Sequence, residues 1–125
     1  MTKLSAPSEL SVAVVDDDPR LRDLLALELE DLGVNPTCFP SAIDLLGSEQ
    51  LHKIQLILLD LVMPDMDGLT CLLKLRQCCF SGKVVVVTAN WEVNREQDLI
   101  RAGADGCWNK TVALERLGPY LESLR

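Results

Sequence analysis

The 125-residue chain predicts an α/β fold: a five-stranded parallel sheet with helices on both faces. Two observations carry this. Short apolar runs alternate five times with stretches in which leucines recur at helical spacing, the rhythm of consecutive strand–helix units. The strand-length runs are also greasy throughout instead of alternating, as in strands covered on both sides. The length suits one domain, 1–125, with 1–8 as a flexible N-terminal extension.

The first strand is expected over 10–15. Asp18 then reads as an N-cap with Pro19 at the first helical position, and Leu21, Leu24, Leu25, Leu29 and Leu32 form one stripe before Gly33 ends the helix. A weaker second strand falls at 36–39, followed by a short helix at 41–47. The third strand is 55–59. After a turn at 64–68, a helix over 69–79 turns Leu69, Leu72, Leu73 and Leu75 inward. The fourth strand, 83–88, is β-branched and uncharged after its lysine, so it belongs in the middle of the sheet. The fourth helix, 92–102, buries little beyond Val93, Leu99 and Ile100 and stops at Gly103. The fifth strand is 106–109. The last helix carries Leu114, Leu117, Leu121 and Leu124, with Gly118 and Pro119 inside it, where proline should kink or interrupt it.

Composition excludes several classes. Nearly half the residues are hydrophobic and a quarter charged, which suits a globular chain and not a disordered or repetitive one. The net charge of −7 argues against direct nucleic-acid binding, which needs a basic face. The apolar runs 54–59 and 84–87 are far too short to cross a bilayer, and no signal-peptide core is visible, so no membrane role and a cytoplasmic location are expected. Five cysteines, with no CxxC pair and one histidine, read as core or surface thiols in a reducing compartment; a redox role for the adjacent Cys78 and Cys79 is the sharper alternative.

The chemistry lies where strands end. In open α/β sheets ligands bind beyond the carboxyl ends of the strands. Asp16, Asp17 and Asp18 leave the first strand there, Asp60 the third, Thr88 the fourth and Lys110 the fifth. Converging carboxylates oppose one another's ionisation, so the pocket must hold protons or recruit a cation, and a hard divalent ion such as Mg²⁺ suits oxygen ligands best. Such a set permits phosphoryl transfer to a carboxylate. Asp60 attacks phosphorus, the metal neutralises phosphoryl oxygens, Lys110 pairs with another, and Thr88 donates a hydrogen bond.

The pieces VVDDDP (14–19), LLDLVMPDMDG (58–68), VVVVTA (84–89), AGADG (102–106) and the lysine of NK (109–110), in this order and spacing, resemble the receiver domain of two-component response regulators over nearly the whole chain. The resemblance implies a flavodoxin-like strand order 2-1-3-4-5. It implies Asp60 as phosphoacceptor, Asp17 and Asp60 as direct Mg²⁺ ligands, Asp16 acting through water, and the Val62 carbonyl as a further ligand. Thr88 would be the switch hydroxyl and Lys110 the phosphate-pairing lysine, while Pro64 and Gly68 shape the turn. It also implies a sensor histidine kinase or phosphotransfer protein as phosphodonor, self-phosphorylation and slow self-dephosphorylation as the only catalysis, and a homodimer or output partner meeting the fourth helix, fifth strand and fifth helix.

Two positions depart from the family pattern. The aromatic usual in the fifth strand is Cys107, with Trp108 facing the other way. The usual lysine–proline pair, generally with a cis bond, is Lys110–Thr111; a non-proline cis bond costs about 3 kcal/mol, so a trans bond and a displaced loop around Lys110 are expected. Two positions that tune dephosphorylation in the family are Val62 and Asn90, and Val62 cannot hydrogen-bond an attacking water, which predicts a long-lived phosphoryl group.

Plainer readings stand beside these. Asp18 is a helix cap more than a ligand, Asp65 and Asp67 are turn residues with Gly68 supplying the conformation, and His52 is a solvated loop residue. Trp91 and Trp108 are open between core and interface. The alternative to a phosphorylation-dependent switch is a receiver-like interaction module that works without phosphate, favoured by Cys107 and Thr111. A phosphatase or mutase using Asp16 and Asp18 as an Asp-x-Asp pair would need a cap domain, for which 125 residues leave little room.

Overall fold

The computed structural model describes residues 10–89 and 93–124. The proposed N-terminal extension, Asn90, Trp91 and the expected helix start at Glu92 lie outside them, as does the side chain of Val93.

Among the described residues five strands, β1 (Val12–Val15), β2 (Thr37–Phe39), β3 (Leu56–Asp60), β4 (Lys83–Thr88) and β5 (Gly106–Asn109), form one parallel sheet in the order β2-β1-β3-β4-β5. The helices are α1 (Pro19–Asp31), α2 (Ala42–Leu46), α3 (Gly68–Gln77), α4 (Val93–Arg101) and α5 (Ala113–Leu124), and a 3₁₀ turn at Leu51–Lys53 carries the exposed His52. The predicted fold class and strand order hold. Alternate strand residues feed two cores. Val15, Leu59, Val86 and Cys107 pack under α2, α3 and α4; Val14, Leu58, Val87 and Trp108 pack under α1 and α5. No helix among the described residues is long and apolar enough to cross a membrane.

The helix stripes are narrower than leucine spacing suggests. Leu24, Leu73 and Ile100 are exposed at 50%, 44% and 45%, contrary to expectation, while Leu25, Leu29, Cys71, Leu75 and Leu99 are buried. Each overcounted residue lies next to a buried one, and only one of two neighbours can face the sheet at about 100° per residue. Pro119 sits within α5 without ending it, so of the expected kink or interruption the interruption does not occur. Trp108 is a core residue, its ring meeting Tyr120 edge to face at 5.3 Å.

Helix ends follow local chemistry. The Asp18 side chain accepts from Arg20 N–H at 3.0 Å, as its capping role requires. Gly33, at φ +83°, ends α1, with Val34 N–H donating to Leu29 O at 2.8 Å. Cys79 ends α3 in the same way at φ +65°, with Phe80 N–H donating to Leu75 O at 3.0 Å. A Cβ in that region costs about 1 kcal/mol. Cys78 and Cys79 are free thiols.

At the amino edge of the sheet, Arg76 holds two loops. Its Nε and Nη2 donate to Gly103 O at 3.1 and 2.7 Å, and Nη1 donates to Phe80 O and Gly82 O at 2.9 and 3.0 Å. Nη2 also reaches Asp105 Oδ2 at 3.1 Å, an oxygen that Val84 N–H shares at 2.9 Å. The guanidinium lies 5.9 Å from the Phe80 ring centroid.

Candidate functional site

Because the strands are parallel and in register, their carboxyl ends share one edge. Val15 pairs with Leu59, Asp60 with Val87, and Thr88 with Asn109. The residues leaving those ends, Asp16, Asp17, Asp60, Thr88 and Lys110, therefore meet. Ligand oxygens of Asp16, Asp17 and Asp60 lie within 4.8 Å of one another. Asp16 and Asp60 are buried and Asp17 is exposed. Asp18 turns away to cap α1, as its neighbour Pro19 requires.

Lys110 joins the acids. Its Nζ lies 3.4 Å from Asp16 Oδ2 and 3.4 Å from Asp60 Oδ1. Asp16 is held on every side: its N–H donates to Phe39 O at 3.2 Å, its carbonyl accepts from Arg22 Nη1 at 2.8 Å, and its Oδ1 accepts from Asp18 N–H at 2.8 Å. Asp60 Oδ1 also accepts from Val62 N–H at 3.3 Å. Among the described residues, Asp60 Oδ2 and both oxygens of Asp17 meet no donor.

Burial pushes the Asp60 carboxyl up to about 6, the negative charge of Asp16 adds to that, and Lys110 and the Val62 N–H offset only part. Burial works against the Lys110 ammonium, yet Asp60 and Asp16 outweigh it and leave its pKa above the ordinary value. A carboxylate trio with one ammonium carries an excess negative charge. Its unshared, hard oxygen donors fit a small divalent cation such as Mg²⁺.

No peptide bond among the described residues is cis, so Lys110–Thr111 is trans, as expected. Lys110 Nζ is within reach of both acids across this turn. Asn109 closes the turn that follows: its Oδ1 accepts from Thr111 N–H at 2.9 Å and from Thr111 Oγ1 at 3.0 Å, and its carbonyl accepts from Val112 N–H at 3.0 Å. Lys110 N–H donates to Thr88 O at 2.8 Å, which ties the lysine to the end of β4. The Thr88 side chain is buried.

The turn after Asp60 is shaped by close approach. Gly68 N–H donates to Leu61 O at 2.7 Å, and a Cβ at Gly68 would stand 2.7 Å from Leu61 Cα and 2.9 Å from Asp60 O. Gly68 thus serves by lacking a side chain, and the expectation that it supplies a special backbone conformation is corrected. Asp67 caps α3 through Thr70 N–H at 2.8 Å; Asp65 reaches across to Ile43 N–H at 2.9 Å at the start of α2. Val62 is exposed, and nothing among the described residues donates to its carbonyl.

Cys107 forms part of the wall of a hollow of about 460 Å³ between α4, β5 and α5, shared with Glu96, Asn109, Val112 and Arg116. Burial pushes its thiol up to about 11, and Glu96 adds to the shift. Sequence reasoning missed Arg22 and Asn109 as supports of the site; the Asn-Lys-Thr turn was a signal for the second.

The model of the response regulator receiver domain matches residues 12–122. The chain is 34% identical over 121 residues to the sensor histidine kinase RcsC of Salmonella typhimurium, covering 94% of this chain and 13% of that protein. It is 30% identical over 112 residues to the tetrathionate response regulatory protein TtrR of the same organism, covering 90% and 54%. The chain thus spans a small part of the first and about half of the second. Among solved structures, the signal receiver domain of a LuxO repressor protein from Vibrio parahaemolyticus superposes with a TM-score of 0.83 at 27% identity, over 91% of this chain and 88% of that one. The BeF3-activated receiver domain of RstA from Klebsiella pneumoniae gives 0.83 at 25% identity, over 90% and 96%.

Proposed function

The chain belongs to the response regulator receiver domain family, and on that premise we propose that it is a phosphorylation-dependent signalling switch with Asp60 as phosphoacceptor. The observation that carries this is the position of Lys110 Nζ, 3.4 Å from both Asp16 and Asp60, beside an Asp60 oxygen that no described residue occupies.

An Asp60 oxygen forms a bond to phosphorus as the phosphorus–nitrogen bond of a phosphohistidine breaks, and the imidazole leaves as a neutral base once protonated. Lys110, bound to its neighbours already, meets the charge of the phosphoryl oxygens without reorganising. Thr88 donates its hydroxyl to one of them. Asp17 and Asp60, with Asp16 through water and the Val62 carbonyl, would hold Mg²⁺, which when bound neutralises phosphoryl charge. The donor is a sensor histidine kinase or phosphotransfer protein, in keeping with the sensor kinase and response regulator among the relatives. The new group biases the loop after β4 and the face of α4, β5 and α5, where a second copy or an output partner docks.

The test is intact-mass spectrometry after incubation with Mg²⁺ and acetyl phosphate, on wild type and Asp60→Asn, both shown folded by circular dichroism. One phosphoryl group on the wild type alone is expected. No gain on either protein rejects the switch and leaves the phosphate-independent interaction module.

A further inference from the structure

We propose that Arg22 is a positioning residue for the acidic pocket: by holding the Asp16 carbonyl it sets the direction in which Asp17 offers its carboxylate to a divalent cation. This rests on the reading of the pocket as a cation site.

Asp17 is the exposed member of the trio, and its carboxylate has no protein partner among the described residues. Nothing touching the side chain can aim it, so its direction comes from the two peptide planes that flank its Cα. The plane before it is fixed through the Asp16 carbonyl, which accepts from Arg22 Nη1 at 2.8 Å. The plane after it is fixed through Asp18 N–H, which donates to Asp16 Oδ1 at 2.8 Å. Asp16 itself is anchored to β2 by its N–H on Phe39 O at 3.2 Å. With both planar units held, little freedom remains at Asp17.

The bond from Arg22 is unusual in its partner. Arg20, two residues earlier, lies 3.6 Å from the Asp18 carboxylate. Arg22 instead spends its charge on a neutral carbonyl and pairs with no carboxylate among the described residues. Its own N–H donates to Asp18 O at 3.0 Å, so the segment 16–18 is stitched to the first turn of α1, whose Leu25 and Leu29 are sunk in the core. The helix becomes the rigid reference for the acids.

Charge and position predict opposite signs. A guanidinium near a cation site repels the cation, so if Arg22 acted by charge alone its loss would tighten Mg²⁺ binding. If it positions Asp17, its loss loosens binding, as removal of partners that orient metal ligands does elsewhere.

The experiment is calorimetric titration of MgCl₂ into the full chain as wild type, Arg22→Gln, Arg22→Met, Arg22→Lys and Arg20→Gln, each first checked by thermal unfolding in EDTA. Mg²⁺ affinity is expected to fall between about 10- and 100-fold in the Gln and Met variants, to recover partly in Arg22→Lys, and to hold or rise in Arg20→Gln. In an Asp17→Asn background, Arg22→Met is expected to change affinity no further, which a general loosening of the fold would not reproduce. Affinity that stays equal or rises in whichever of Arg22→Gln and Arg22→Met folds overturns the inference and leaves the cation pocket standing. A wild type that binds no Mg²⁺ overturns both.

Discussion

Replacing Asp60 by asparagine should stabilise the metal-free protein at neutral pH. The Asp60 carboxyl is raised from 3.8 to about 6, by burial first and by Asp16 second, against the pull of Lys110. The folded chain therefore binds this proton more tightly than the unfolded chain does. Below about pH 4 both states are protonated and Asp60 costs nothing. Between about pH 4 and 6 the unfolded chain has already ionised, so stability falls as pH rises, and above about 6 the whole cost is present. Two pH units at ~1.4 kcal/mol each give about 3 kcal/mol. Asparagine keeps the shape and carries no charge, so Asp60→Asn should exceed wild type by up to that amount at pH 7 and by nearly nothing at pH 4. Urea unfolding in EDTA at pH 4, 5, 6 and 7 measures it; with slopes of about 1–3 kcal/mol per molar, the midpoint at pH 7 moves up by ~1–3 M. Equal midpoints at pH 7, or a gap that is the same at pH 4, would refute the reasoning.

Lys110→Met removes the ammonium that stands 3.4 Å from two acids, so calorimetry should show Mg²⁺ bound ~10-fold more tightly or better while mass spectrometry shows less phosphoryl uptake. Gly68→Ala drives a Cβ against Leu61 Cα and the Asp60 carbonyl and should lower stability by about 1–3 kcal/mol in thermal unfolding. Val62→Asn puts a hydrogen-bonding group on an exposed side chain beside Asp60, and radiolabelled phosphoryl should decay faster than from wild type; equal or slower decay contradicts that role. Leu29→Ala empties a fully buried site between α1 and the sheet and should cost about 2–5 kcal/mol by urea unfolding.

The sheet was readable because parallel strands covered on both faces must be apolar at every position, and 56–60 and 84–88 are apolar up to their final polar residue. The site was readable for a related reason. A carboxylate or lysine at the end of such a run can lie only at the carboxyl edge, where Asp60 and Lys110 are found. Leucine-rich helices were less informative: Leu24 beside Leu25 and Leu73 beside Leu72 offer two apolar candidates for one inward direction, and packing decides. The end of α1 was marked by Gly33, whereas Cys79 takes the same left-handed turn with no glycine to announce it. Arg22 could not be found in advance, because a guanidinium bound to a backbone carbonyl leaves no trace in residue spacing.

The Arg76 guanidinium binds carbonyls on either side of residues 83–102, Phe80 and Gly82 in one loop and Gly103 in the other. Neither loop can peel from the sheet while the other stays docked without stranding half-buried guanidinium donors. The two segments therefore form one cooperative unit, and amide exchange in both should follow a single opening event, slow at the floor of the molecule whatever the acidic rim is doing.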